Sequence, residues 1–307
     1  MNQVPSKYKI DIPGLFSLSS SVSKIKGFTL FDADFDNLKD YVSGNLDDKP
    51  HYTYQVGTPE ELVGTSEFTY RWLSKKEDFI YYNRPLFPGV SLKYSYNIKK
   101  REFIANSLYH HLVSFEFGNI WSTGKVLSNI FVYDLAKKGF ETFHGMAFEY
   151  KGKVVCMLSP GGNYKSPLLR YMIKKGATYI SGDKLIIKDG RVYYVPPLPS
   201  EKLTVEEGRY KETSYQITHV FFAFFADSDS CTSLKDRLLM RSYLNTYSMF
   251  NFLGTGWMTN MQMLLDRYIA TLEKEKSFGH GQDYPETFLL NFTKFKSLCE
   301  KIDDILL

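Results

Sequence analysis

The stretch that most constrains this chain is an apolar strand that ends in a glycine turn and restarts as a helix. Val154-Val155-Cys156-Met157-Leu158 is apolar at every position, which reads as a buried strand. Ser159-Pro160-Gly161-Gly162-Asn163 is a loop. Ser166 to Lys175 then places Leu168, Leu169, Met172 and Ile173 at helical spacing, and Gly176 closes the helix. The surroundings continue the alternation. Lys125 to Lys138 has Val126, Leu127, Ile130, Phe131 and Leu135 on one helical face, with Gly139 as its stop. Met146 to Tyr150 is strand-like and Lys151-Gly152 a hairpin turn. Thr178 to Ile180, Lys184 to Ile187 and Val192 to Val195 are strands, with a turn at Lys188-Asp189-Gly190. Thr218 to Ala226 is very apolar and is expected in the centre of the sheet. Ser233 to Phe250, Thr259 to Lys274 and Phe288 to Leu307 carry helical patterns. The expected class is α/β with a mixed sheet.

The first hundred or so residues differ in character. Tyr8 to Ile12, Phe28 to Phe31, His51 to Val56, Phe68 to Trp72, Phe79 to Tyr82 and Leu92 to Tyr96 are short alternating runs between turn residues. They predict a smaller β-rich region, either an antiparallel domain or a layered sheet, with no parallel βαβ units visible. The expected division is residues 1–115 for this region and 116–307 for the α/β domain. Glu102 to His111 reads as a strand or strand pair. Aromatic residues make up 16% of the chain, with 23 Tyr and 24 Phe. Rings filling a core account for that most simply; an aromatic groove for a peptide is the alternative.

Charge and cysteine usage exclude several classes. The net charge of +4 comes with no basic stripe, so nucleic acid is not an expected partner. No apolar run reaches the roughly 20 residues of a membrane helix, and the opening residues lack the apolar core of a signal peptide. Cys156, Cys231 and Cys299 form neither a disulfide framework nor a paired metal motif. A reducing, cytoplasmic setting is expected.

The strand, glycine loop and Lys-Ser helix start together form the layout of a phosphate-binding loop. In such a loop, backbone N–H groups and the helix dipole hold phosphate, a lysine reaches the outer phosphates, and a hydroxyl holds Mg²⁺. The candidate nucleotide-binding residues are Gly161, Gly162, Asn163, Tyr164, Lys165 and Ser166. The strict pattern is broken twice, because Ser159 and Tyr164 stand where glycines belong. If the loop needs a positive φ at Tyr164, the side chain costs on the order of 1 kcal/mol or more.

Several further segments lie around the loop in order: His144-Gly145-Met146-Ala147-Phe148, Gly152-Lys153-Val154-Val155, Lys174-Lys175-Gly176-Ala177, Ile180-Ser181-Gly182-Asp183 and Asp189-Gly190-Arg191-Val192. With the loop, they resemble the HPr kinase/phosphorylase family, above all its kinase-like relatives from peptide and natural-product gene clusters. The resemblance covers residues 144 to 199. It implies an HPr kinase-like domain that phosphorylates a hydroxyl, with serine favoured, of a peptide, protein or small molecule, using ATP or GTP and Mg²⁺. It further implies that Lys165 binds phosphate, Ser166 binds the metal, and His144 points toward the phosphates. Asp183 would be the carboxylate that deprotonates the acceptor and would also lie near the metal. Gly182 replaces the family's partner carboxylate; Asp227 or Asp229 could supply it instead, or the metal is held poorly. A homo-oligomer is implied as well, because the family forms rings. The family's phosphorylase activity is not expected. The departures at Ser159, Tyr164 and Gly182 leave a second reading open, a non-catalytic scaffold or regulatory binding protein.

Other features are weaker. His110-His111 reads as one buried and one exposed ring, Cys231 as a loop or core cysteine, and Phe278 to Asp283 as an interhelical loop. Gly254 to Trp257 could be a hinge or pocket wall. Arg237 and Arg241 share a helix face, where they could meet phosphate or solvent.

Overall fold

The computed structural model describes residues 8–12, 14–25, 33–34, 51–112, 122–197, 212–247 and 285–307. The chain divides into two compact units, one running up to Tyr133 and the other starting at Asp134. Both are built on mixed sheets, which makes the protein α/β. Residues 113–121, where the sequence placed the boundary, lie outside the described residues. So do the expected strand at Phe28 to Phe31, the helix at Thr259 to Lys274 and the loops around Gly254 and Gly279.

The first unit contains β1 (Tyr8–Ile12), β2 (Phe16–Ser20), β3 (Lys24–Ile25), β4 (Ala33–Asp34), β5 (His51–Val56), β6 (Phe68–Tyr70), β7 (Leu73–Lys76), β8 (Phe79–Phe87), β9 (Val90–Asn97) and β10 (Glu102–Ala105). Its eight-stranded sheet has the order β1-β2-β5-β10-β9-β8-β7-β6. The antiparallel expectation needs correcting here. β5 is parallel to both β2 and β10, so two parallel pairs join an antiparallel hairpin to an antiparallel meander. Short alternating runs specify a half-buried strand but not the direction of its neighbour, because both pairings share the two-residue side-chain period. Glu102 to His111 is also corrected. Its first part is β10, and Ser107–Leu112 is a helix, α1, begun by Asn106, whose Oδ1 accepts from the Tyr109 N–H at 2.9 Å.

Many of the described aromatic rings of this unit are core rather than groove. Tyr52, Tyr54, Tyr94, Tyr96, Phe103 and Tyr109 are all within 1% of complete burial. Tyr94 stacks on Tyr82 and Phe103, with centroids 4.9 and 5.1 Å away. Helix α2 (Thr123–Lys137) sets Phe131 against Phe16 and Tyr52, at 4.4 and 4.2 Å.

The second unit holds β11 (Glu141–Tyr150), β12 (Lys153–Leu158), α3 (Lys165–Lys174), β13 (Thr178–Ser181), β14 (Lys184–Lys188), β15 (Arg191–Tyr193), β16 (Ser214–Gln216), β17 (His219–Phe225), β18 (Ser230–Ser233), α4 (Arg237–Tyr247), β19 (Glu286–Phe292) and α5 (Phe295–Leu306). The nine-stranded sheet runs β16-β15-β14-β11-β12-β17-β19-β18, with β13 also on β11. β12, β17 and β19 form its parallel centre. This explains why β12 and most of β17 are apolar at successive positions: both faces are covered. Val154, Cys156, Leu158, Val220 and Phe222 join a core shared with Met240, Leu244 and Tyr247 of α4. Leu168, Leu169 and Met172 are the buried stripe of α3, which packs on β11 and β13. The expected terminal helix is corrected: its first residues are β19, and the helix begins at Phe295. Phe288-Leu289-Leu290 is apolar at successive positions, and a short run of that kind reads equally as buried strand or buried helix.

One register detail positions everything that follows. β13 and β14 run consecutively along the same strand, pairing with residues 147–149 and 141–144 of β11. Gly182 and Asp183 are left between them, opposite Gly145, whose N–H reaches the Asp183 carbonyl at 3.1 Å. On its other side Gly145 pairs with Leu158 of β12. A Cβ at Gly145 would come within 2.6 Å of the Met157 carbonyl oxygen and 2.7 Å of Leu185 Cδ1. Gly145→Ala is therefore expected to destabilise the fold by about 1–3 kcal/mol through forced separation of the strands. Urea unfolding of the variant measures this; an unchanged midpoint would show that the strands part without cost.

Candidate functional site

The loop between β12 and α3 begins at Ser159, the next residue after the Gly145–Leu158 pair, so it emerges beside His144. Gly162 has φ +83°, and a Cβ at Gly161 or Gly162 would meet nothing within 4 Å. The space over the turn is open. Tyr164, the last residue before α3, adopts φ 58° and ψ 18°, the left-handed conformation that glycine serves in such loops. Its ring leans on Phe292 and Phe295, with centroids 6.2 and 5.5 Å away. The first turn of α3 has no side-chain cap and no acidic residue, so its N-terminal dipole meets no side-chain carboxylate of its own.

Lys165 is the first residue of that helix and is only 8% exposed. Its Nζ donates to the carbonyls of Ser159 and Pro160, at 2.9 and 3.1 Å. Burial pushes its pKa down to about 8; Asp183 nearby opposes the shift and Lys184 adds to it. All three charges therefore share one neighbourhood. Ser159 is completely buried, and its hydroxyl has no hydrogen-bond partner among the described residues. Such a group awaits a water or a ligand. Ser166, at the second helical position, is half-buried.

Opposite the loop, His144 and Lys184 are direct cross-strand partners on β11 and β14, which puts their side chains on one face. Both turn to Asp183. His144 Nε2 donates to Asp183 Oδ1 at 3.0 Å, and the Lys184 ammonium pairs with Oδ2. Burial alone would raise the Asp183 pKa. The His144 hydrogen bond and the Lys184 charge outweigh it and hold the carboxyl well below the usual carboxylate range. Asp183 is thus ionised, oriented and matched by donors.

The structure brings His144, Asp183 and Lys165 into one neighbourhood and adds Lys184, which sequence reasoning overlooked. The available signal was its position beside Asp183 and its register opposite His144. The two candidate replacement carboxylates behave differently. Asp227 is exposed. Asp229 accepts from the Thr293 N–H at 2.6 Å and the Ser297 hydroxyl at 3.1 Å, so it serves the start of α5. Among the described residues, no three His, Cys, Asp or Glu side chains converge as a metal site. Arg241 is not free for phosphate, because its guanidinium makes a two-pronged pair with buried Glu141, at 2.8 and 3.3 Å. His110 is buried and bonds the Tyr54 hydroxyl at 2.8 Å, while His111 is exposed, both on α1 rather than on a strand. Cys231 is exposed on β18, where partial burial raises its pKa. That is the opposite of an activated thiol.

An open turn, a buried lysine and a lone buried hydroxyl fit a phosphate group. A divalent cation fits poorly, since both oxygens of Asp183 already face donors. Among the described residues, no helix is long and apolar enough to cross a membrane.

No family model and no curated protein matches the chain. Among solved structures, the Hpr(Ser) kinase/phosphatase from Coxiella burnetii is similar over 54% of this chain and 97% of its own, at 9% identity and a TM-score of 0.27.

The Lys165 environment has a measurable consequence. Its pKa falls from 10.5 in the unfolded chain to about 8 in the native one. Between those values the unfolded chain binds the extra proton, so native stability rises with pH across that window. Lys165→Met is expected to lack this rise, as read from urea midpoints of both proteins through the window. Parallel curves would mean that the native ammonium is fully solvated.

Proposed function

We propose that the second unit is a nucleotide-dependent phosphotransferase that phosphorylates a hydroxyl, with ATP or GTP as donor and a peptide, protein or small molecule as acceptor. The observation that carries this reading is Asp183, a carboxylate kept ionised and aimed by His144, sharing charge with the buried lysine at the head of α3. Phosphoryl transfer asks mainly for positioning and charge neutralisation. The N–H groups of Gly161 to Ser166 and the Lys165 ammonium would hold the phosphates. Asp183 would accept the acceptor's proton. Its low pKa makes it a weak base, so its main service is to orient the hydroxyl, and His144 holds it for that. These assignments are the ones that the resemblance of residues 144 to 199 to HPr kinase-like proteins implies.

A second reading has its own support. The Lys184–Asp183 pair engages the carboxylate, and Tyr164 stands where the strict pattern has a glycine. Both suit a module that binds a phosphate-bearing ligand without transferring it.

Calorimetric titration of ATP and GTP separates these readings from a plain strand-turn-helix. Lys165→Ala is expected to weaken binding about tenfold or more, the worth of a charge-assisted contact. Asp183→Asn should keep binding but slow transfer to serine peptides about 100-fold or more. Binding without transfer in the wild type selects the second reading. No heat at millimolar nucleotide, with Lys165→Ala indistinguishable, rejects both.

A further inference from the structure

The charges at this site are those of an anion pocket without a metal. A magnesium ion beside a polyphosphate takes one or two carboxylates and fills its shell with phosphate oxygens and water. Here Asp183 accepts from His144 through one oxygen and pairs with Lys184 through the other. Gly182 contributes no side chain, and Asp229 is engaged by Thr293 and Ser297. Two ammonium groups are buried instead, with Lys165 8% and Lys184 9% exposed. Burial disfavours the charge on Lys165, Asp183 favours it, and Lys184 opposes it less strongly than Asp183 supports it, so a single carboxylate serves two buried lysines.

We propose that Lys184 takes the place of a divalent cation, and that the loop binds the phosphates of its nucleotide in metal-free form between Lys165 and Lys184. The inference rests on the phosphate-loop reading above. Lys184 is suited to the task by its placement. It sits on a paired strand opposite His144, so its ammonium is held at the site without a dissociable ion. Asp183 parks it when no anion is present. An arriving phosphate offers Lys165 and Lys184 a second anionic partner at the same spot and gives the buried Ser159 hydroxyl a hydrogen-bond partner.

The test is calorimetric titration of ATP and of inorganic tripolyphosphate, each in EDTA and in excess Mg²⁺. The wild type, Lys184→Gln and Lys165→Ala would be compared, with thermal melts to verify folding. For the wild type, the expected Kd in EDTA lies within about threefold of that in Mg²⁺, a difference under 1 kcal/mol. Lys184→Gln should weaken binding in EDTA about tenfold or more, as expected for losing a charge-assisted contact. Wild-type binding that appears only with Mg²⁺ overturns the inference while leaving the phosphate-loop reading intact. So does a folded Lys184→Gln that binds in EDTA as tightly as the wild type. Absence of binding in both buffers removes the loop reading and the inference together. The wild-type comparison needs no variant, so it decides the matter even if Lys184→Gln fails to fold.

Discussion

The pairing of β11 with different strands along its two edges organises the second sheet. β12 holds one edge, while β13 and β14 share the other. Gly145 lies at the crossing of these pairings and has no room for a side chain. Close approach at that point aligns three otherwise distant pieces of chain: the end of β12 with its loop, His144 on β11, and the break at Gly182-Asp183. Sheet geometry, rather than any bond within the loop, brings a lysine at 165 near an aspartate at 183. Moving β14 by one residue would send Lys184 to the opposite face and leave Asp183 with one donor fewer.

The resulting cluster is costly in electrostatic terms. Two lysines and an imidazole are buried beside a half-buried carboxylate, and burial of charge repays itself only when partners satisfy it. Asp183 is well satisfied. Lys165 is less so: its donors go to two carbonyls, and its depressed pKa records the remaining imbalance. A hydrophobic residue at the head of α3 would suit the fold better. The structure instead holds an under-compensated cation beside an open turn, the kind of imbalance that clusters at functional sites.

Much of the second unit was legible in the sequence because its signals are local. A fully apolar strand, a glycine turn and a helical stripe each depend on neighbouring residues, and β12, α3, β17 and the Gly139 stop of α2 follow from them. What failed was non-local. Strand direction in the first sheet depends on which segments meet, which no alternation records. Phe288 to Leu290 is an apolar run equally suited to strand or helix; its place beside β17 decides in favour of strand. The members of the candidate site were legible as residue types, through Lys165, Asp183 and His144, which the fold brings into one cluster. Lys184 was overlooked because a lysine in an otherwise apolar strand reads as solvated until the register places it against His144 and Asp183.

Tyr164 shows how such a loop holds its shape without the usual glycine. The left-handed backbone there costs a side-chain-bearing residue about 1–2 kcal/mol. The ring offsets this by packing on Phe292 at the end of β19 and Phe295 at the start of α5. Both of those positions are themselves anchored. Asp229 accepts from Thr293 and Ser297 across the junction, and Asp303 on α5 accepts from Tyr171 at 2.8 Å and Lys175 at 2.6 Å on α3. The loop is therefore tied to α5 from its own residue and from the helix that follows it. A glycine at 164 would ease the backbone but release one of those ties. The aromatic substitution is thus compatible with a loop kept open toward solvent at Gly161 and Gly162, because the bulky ring is directed into the β19–α5 junction.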